Sequence, residues 1–399
     1  MVARPAGTLV LLLALAAVAR AQPDWPYETD FDDRLLHVHP ELNYAQHPDW
    51  LAAWERGRLA EGQFLGTFGS SATDELLVDA RWSLNPELGA GGLRFRNDIV
   101  WQEQRHLPTE RLDIWLGLEQ RVHGPLGVVV QATVAEAKET IDLRAGGLWT
   151  SADRTRYVQL LYLAEDVVRD GKDDLAPDTE RGSRGAQWLL RLEHGDWSFF
   201  SRGRWTSGFA RDYPDAAASP ELRRHEQTSN SFELRARWRP RPRAQLVLAW
   251  QQVEDAEQTL RRGDAAAYDF DYAGWYRVLS ARGLLPLSPR WRLRGELHRL
   301  DRRAAATGWC AFVYHREETL PGLWAEWSFG GAHWLELGYL GTVYRWNYAG
   351  ETQESGFADK VELAAVLGFA RGSGLKISLS HEVSLERFGG ASVRSYIRF

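Results

Sequence analysis

Trp291-Arg292-Leu293-Arg294-Gly295-Glu296-Leu297-His298 alternates, without a break, between apolar or small residues and ionisable ones. A strand points successive side chains to opposite faces, so one face of this segment is greasy and the other ionic. The same period of two recurs along the chain. Phe232, Leu234, Ala236 and Trp238 alternate with Glu233, Arg235, Arg237 and Arg239. Leu112, Ile114, Leu116 and Leu118 alternate with Asp113, Trp115, Gly117 and Glu119, and Val361, Leu363, Ala365, Leu367 and Phe369 interleave with residues 360–368. No 3.6-residue stripe competes with this pattern from about residue 61 to 399, which makes that range all-β.

Alternation alone fits two architectures. A soluble sandwich buries the apolar face and wets the polar one, whereas a membrane barrel turns apolar residues to lipid and polar residues to a wet lumen. Run length favours the barrel: many alternating stretches cover 10–15 residues, about twice the usual sandwich strand, and crossing the hydrocarbon takes about 9–11 tilted residues. The 19 tryptophans favour it too, several of them (Trp82, Trp101, Trp149, Trp238, Trp275, Trp346) near run ends where aromatic girdles sit. A mean hydropathy of −0.41 is compatible, because one-sided strands average out. No segment has 18 consecutive apolar residues, so no transmembrane helix is expected.

Connections alternate in length. Short ones fall at 85–91, 123–125, 195–196, 239–243, 285–289, 330–332 and 371–374; long polar ones fall at 105–110, 171–185, 212–228, 257–268, 304–318 and 348–358. Short periplasmic turns and long outer loops are the habit of membrane barrels. With 63–70 as the first strand and 393–399 as the last, the reading is a single antiparallel transmembrane barrel of about 18 strands, with 16 as the alternative. Residues 309–318 are placed in a loop.

The first 21 residues read as a signal peptide. Arg4 gives a positive start, an apolar run follows, and Ala19-Arg20-Ala21 fits a small-x-small cleavage site. Residues 22–60 read as a short periplasmic segment with one helix, Asp49 capping Trp50–Arg56. Cys310 is the only cysteine, which excludes an internal disulfide and a cysteine-based metal cluster. A net charge of −6 excludes a generally basic nucleic-acid binder. Of the 48 basic residues four are lysine (Lys138, Lys172, Lys360, Lys376) and the rest arginine, a fixed, planar cation suited to carboxylates and phosphates.

The chain ends Val393-Arg394-Ser395-Tyr396-Ile397-Arg398-Phe399, with Val393, Ile397 and Phe399 on one strand face. This resembles the closing strand of Gram-negative outer-membrane β-barrels, whose terminal aromatic is read by the barrel-assembly machinery; Ser395 departs from the apolar preference of that face. The resemblance implies an outer-membrane location, with the bilayer and the assembly machinery as partners. The strand count and Arg-rich face are also loosely similar to alginate-export-type polysaccharide conduits, which implies a periplasmic export or polysaccharide partner.

If lipid takes the apolar rows, charges must face inward, because one at the midplane costs about 2–4 kcal/mol. Arg94, Arg96, Arg235, Arg237, Arg292 and Arg294 are then the candidate selectivity residues of an anion path. The last two pairs are assigned to two neighbouring basic strands that concentrate positive potential. The competing readings are Arg–carboxylate pairs that only brace a polar interior, in a structural or adhesive barrel, and a membrane-embedded hydrolase. Enzyme signals are poor: Ser380 and His381 point to opposite faces of a strand and cannot pair. His37 and His39 lack a third metal ligand, and the acidic stretch at 170–178 lacks EF-hand spacing. No cofactor is expected.

Overall fold

The computed structural model describes residues 62–398 except 72–75, 89–90, 104–110, 134–139, 154, 170–178, 182, 213–221, 242–243, 309–310, 349–350, 370–372 and 385. The signal peptide with its Ala19 and Ala21, the segment 22–60, Cys310, the acidic stretch at 170–178 and Phe399 lie outside the described residues.

The strands follow one another as β1 (Gly62–Ser71), β2 (Leu76–Leu84), β3 (Leu93–Glu103), β4 (Arg111–His123), β5 (Leu126–Thr133), β6 (Thr140–Thr150), β7 (Tyr157–Arg169), β8 (Thr179–Arg181), β9 (Arg184–His194) and β10 (Trp197–Thr206). They continue as β11 (Phe209–Asp212), β12 (Leu222–Arg241), β13 (Ala244–Arg261), β14 (Phe270–Pro286), β15 (Trp291–Gly308), β16 (Phe312–Gly330), β17 (His333–Tyr348), β18 (Glu351–Gly368), β19 (Gly374–Glu382) and β20 (Arg387–Arg398). β8 with β9, and β10 with β11, form single interrupted staves, so the wall has 18 staves. Each stave pairs antiparallel with the next. β20 closes the circle on β1, from Gln63↔Arg398 to Ser71↔Gly390, which leaves no sheet edge.

Alternation sorts the faces as the sequence requires. Leu126, Val128 and Val130 of β5 are exposed outward while Gly127, Val129 and Gln131 are buried inward. On β15, Trp291 and Leu297 point out while Arg292, Arg294 and His298 point in. The outward apolar row of β17 runs over 335–343 and ends at the exposed Arg345; that of β14 runs over 279–287 and ends at Arg277. Nine residues tilted by about 40° rise about 23 Å, close to the usual height of a barrel's apolar band. Trp197 stacks on Trp238 at 5.8 Å, and Trp291 packs with Trp327 at 6.4 Å, along the lower rim of this belt. A closed, even-staved antiparallel barrel with a greasy outer belt and an ionic interior is a transmembrane protein of the outer membrane.

Two expectations need correction. The stretch 304–318 is not a loop: β15 runs to Gly308 and β16 starts at Phe312, with Ala306↔Phe312 and Leu300↔Glu318 in register. Likewise 351–358 belongs to β18, and much of 222–228 and 257–261 to β12 and β13. These residues look like loop because apolar and polar side chains no longer alternate: 315–318 is polar on both faces and 304–306 is alanine on both. They are strand extensions standing above the belt, where neither face meets lipid. The tryptophans also divide: Trp346 and three others, Trp115, Trp324 and Trp334, sit on the inner wall.

Candidate functional site: the charged lumen

The inward rows at belt height form a lattice of arginine–carboxylate pairs. On one side, Arg292 of β15 binds Glu326 of β16, and Arg294 places Nε 2.7 Å from Glu326, Nη1 2.7 Å from Glu296 and Nη2 3.1 Å from Glu336. Glu336 also accepts from Lys376 Nζ at 2.7 Å, and the same ammonium donates to Glu362 at 2.9 Å. Thus one ionic chain links β15 to β19 across five neighbouring strands. Each cation along it is matched by a carboxylate, and Glu326 and Glu336 are buried.

The opposite wall is built differently. Arg191 and Arg237 share Glu193, the latter pair at 3.6 Å, and Arg202 and Arg235 share Glu233, at 2.5 Å for Arg202. Each of these two carboxylates therefore meets two guanidinium groups. Arg94 pairs with Glu87 near the periplasmic turn, and fully buried Arg96 pairs with Glu119 at 3.3 Å. Arg144 of β6 reaches Asp98 of β3 at 2.8 Å.

Aromatic rings back the arginines. Arg292 lies 3.8 Å from the Trp334 ring centre, Arg294 4.2 Å from Trp324, Arg144 4.2 Å from Trp115, and Arg235 5.2 Å from Phe200. Trp324 lies flat on the wall because Gly322 and Gly338 leave it room: a Cβ on Gly338 would stand 2.0 Å from the indole nitrogen. Ring and guanidinium planes hold each other in place, which fixes donors that would otherwise swing.

All six candidate arginines thus face inward, but they do not form one site. β12, carrying Arg235 and Arg237, pairs with β10, β11 and β13, whereas β15, carrying Arg292 and Arg294, pairs with β14 and β16. Two strands lie between them, so the expected neighbouring basic strands are not neighbours. Reading period two locates a side chain on a face, not its strand around the circle. The reading also missed Arg191, Arg202 and Lys376, the last on a regularly alternating row, Leu375 to Ser380. Ser380 points inward and exposed His381 outward. Val393 and Ile397 face out on the closing strand, 40% and 44% exposed.

No protein-family model and no curated protein matches this sequence. Solved structures share its architecture at a distance. A bacterial polysaccharide outer membrane secretin is 13% identical over 86% of this chain and 99% of that one, with a TM-score of 0.42. OmpT, an outer membrane protein of Vibrio cholerae, is 11% identical over 84% of this chain and 96% of its own, at 0.39. The outer membrane protein opdK from Pseudomonas aeruginosa is 12% identical over the same shares, at 0.36. Likeness at this level is one of fold and says nothing of what passes through the lumen.

Proposed function

We propose that this barrel is an outer-membrane conduit whose arginine-rich wall favours anions, either small anionic solutes or an acidic exported polymer. One observation carries the reading: Arg191, Arg202, Arg235 and Arg237 are gathered on one stretch of the inner wall, two guanidinium groups meeting at Glu193 and two at Glu233. A lumen wall with one sign in excess attracts the opposite ion, and low-dielectric walls focus that field. Insertion by the barrel-assembly machinery through the closing strand, and a periplasmic partner that delivers a polymer, belong to the same proposal.

A second reading has its own support. With Arg282, 3.6 Å from Glu296, the lattice brings four cations (Arg282, Arg292, Arg294 and Lys376) to four carboxylates (Glu296, Glu326, Glu336 and Glu362), as befits a brace. A barrel held together in this way serves as a structural or adhesive element of the surface without conducting. Planar-bilayer recording under a KCl gradient separates the two. The conduit reading expects single-channel steps and a reversal potential on the anion side, reduced by Arg235→Ala with Arg237→Ala. Silent bilayers from protein shown to be folded favour the brace.

A further inference from the structure

On the outer surface, above the apolar belt, Asp301 of β15 and Glu317 of β16 are direct cross-strand partners. Two carboxylates facing each other on one side of a sheet repel. His315, two residues before Glu317 on the same face, sets Nε2 3.0 Å from Asp301 Oδ1 and 3.6 Å from Glu317 Oε1. All three ligand atoms lie within 4.8 Å of one another, and each side chain is between 26% and 34% exposed.

We propose that Asp301, His315 and Glu317 form a divalent transition-metal site of the zinc class on the external wall. Ligands about 2.0–2.1 Å from a tetrahedral zinc stand about 3.3 Å from each other, and the two histidine–carboxylate separations bracket that value. One imidazole with two carboxylates suits zinc better than calcium or magnesium, which take oxygen ligands. Arg299 Nη2 holds the other oxygen of Glu317, Oε2, at 3.3 Å, leaving Oε1 turned toward His315. It has the place of an outer-shell partner that orients a ligating carboxylate. Arg303 Nε, 3.4 Å from Asp301, completes the surround and stacks over Trp275 at 5.2 Å. The ion would replace the repulsion between β15 and β16 by a bridge, at the height where the strands leave the membrane. The open fourth position faces solvent.

The full-length protein, folded in detergent, prepared without a polyhistidine tag and stripped with EDTA, is titrated with ZnCl2 by isothermal calorimetry. Saturable uptake of one zinc per chain is expected, weakened at least about tenfold in His315→Ala and in Glu317→Gln, and by a similar factor in Arg299→Gln, which removes no ligand. Co2+ is expected to give the visible absorption of a four-coordinate site in the parent and not in His315→Ala. Heat-modifiable gel mobility confirms that each variant is folded. Absence of saturable uptake, or uptake unchanged in both His315→Ala and Glu317→Gln, overturns the assignment.

Discussion

Glu326 and Glu336 stand directly opposite each other in the register of β16 and β17, two buried carboxylates on the inner wall. Like charges so placed repel, and Arg294, donating to both, is what makes the arrangement stable. Removing one partner of a buried ionic group costs about 3–5 kcal/mol. Arg292 and Lys376 remain in contact with the two carboxylates, so Arg294→Ala should fall near the lower end, about 3 kcal/mol, in urea unfolding from lipid vesicles. A loss below about 0.5 kcal/mol, as for an ordinary surface site, would mean that the lattice does not brace this wall.

The two pairs of arginines should separate in function. Arg235 and Arg237 each meet a carboxylate that a second arginine also contacts, whereas Arg292 and Arg294 lie in the lattice that ties β15 to β19. Arg235→Ala with Arg237→Ala should move the reversal potential toward cations with little change in unfolding. Arg292→Ala with Arg294→Ala should chiefly destabilise. Equal selectivity shifts from both double variants would remove the distinction between a filtering wall and a bracing wall.

The belt makes a depth-dependent prediction. Leu337, 56% exposed, lies in the middle part of the outward row 335–343, and Val343 at its upper end. Leu337→Arg should cost about 2–4 kcal/mol in vesicles, and Val343→Arg about 0–1 kcal/mol. Equal costs at both depths would contradict the placement of the membrane.

The fold was legible because the membrane imposes a two-faced code on every stave: Leu297 must be greasy and His298 polar, or the barrel does not insert. That code stops where lipid stops. At His315, Arg316, Glu317 and Glu318 both faces are polar, alternation vanishes, and a strand reads as a loop. The lumen was legible as charged but not as a map. Arg235 and Arg292 carry the same local signature, and only closure of the circle reveals that two strands part them. Trp346 looked like a girdle residue because nothing in its own strand reports the inner-wall cluster of Leu320, Trp324 and Ala358, on the strands to either side, that it packs against.

Acid should loosen a periplasmic turn. Asp153, between β6 and β7, accepts from Ser151 Oγ at 2.5 Å, the Thr155 amide at 3.1 Å and Thr155 Oγ1 at 2.8 Å. These donors, Ser151 first, lower its pKa from 3.8 to about 2. A carboxyl held down in the folded state stabilises the turn above its unfolded pKa, and that contribution is lost as pH falls from about 4 through about 2. A carbon-detected NMR titration in micelles should find the Asp153 midpoint near 2 and moved up toward the ordinary aspartate value by Ser151→Ala. A parent midpoint at the ordinary value would show that the turn does not hold this geometry.

Above the belt the decisive observable is amide protection. Residues 314–318 pair on both sides, with Ala304 to Leu300 on β15 and with Tyr348 to Tyr344 on β17. An interior strand has its donors engaged whether or not lipid is present, so exchange there requires opening of the ladder rather than fraying of a loop. The inner face adds a reason for such opening to be rare: Arg316 and Glu318 form a buried ion pair, and Leu320 follows in a cluster with Trp324, Leu340, Tyr344 and Ala358. Hydrogen–deuterium exchange read by mass spectrometry should therefore give peptides covering 312–320 a protection close to that of peptides covering 322–330 inside the belt. Complete exchange of the upper peptide within seconds, while the lower stays protected, would end β16 at the membrane surface. The metal-ligating face of His315 and Glu317 would lose its support with it.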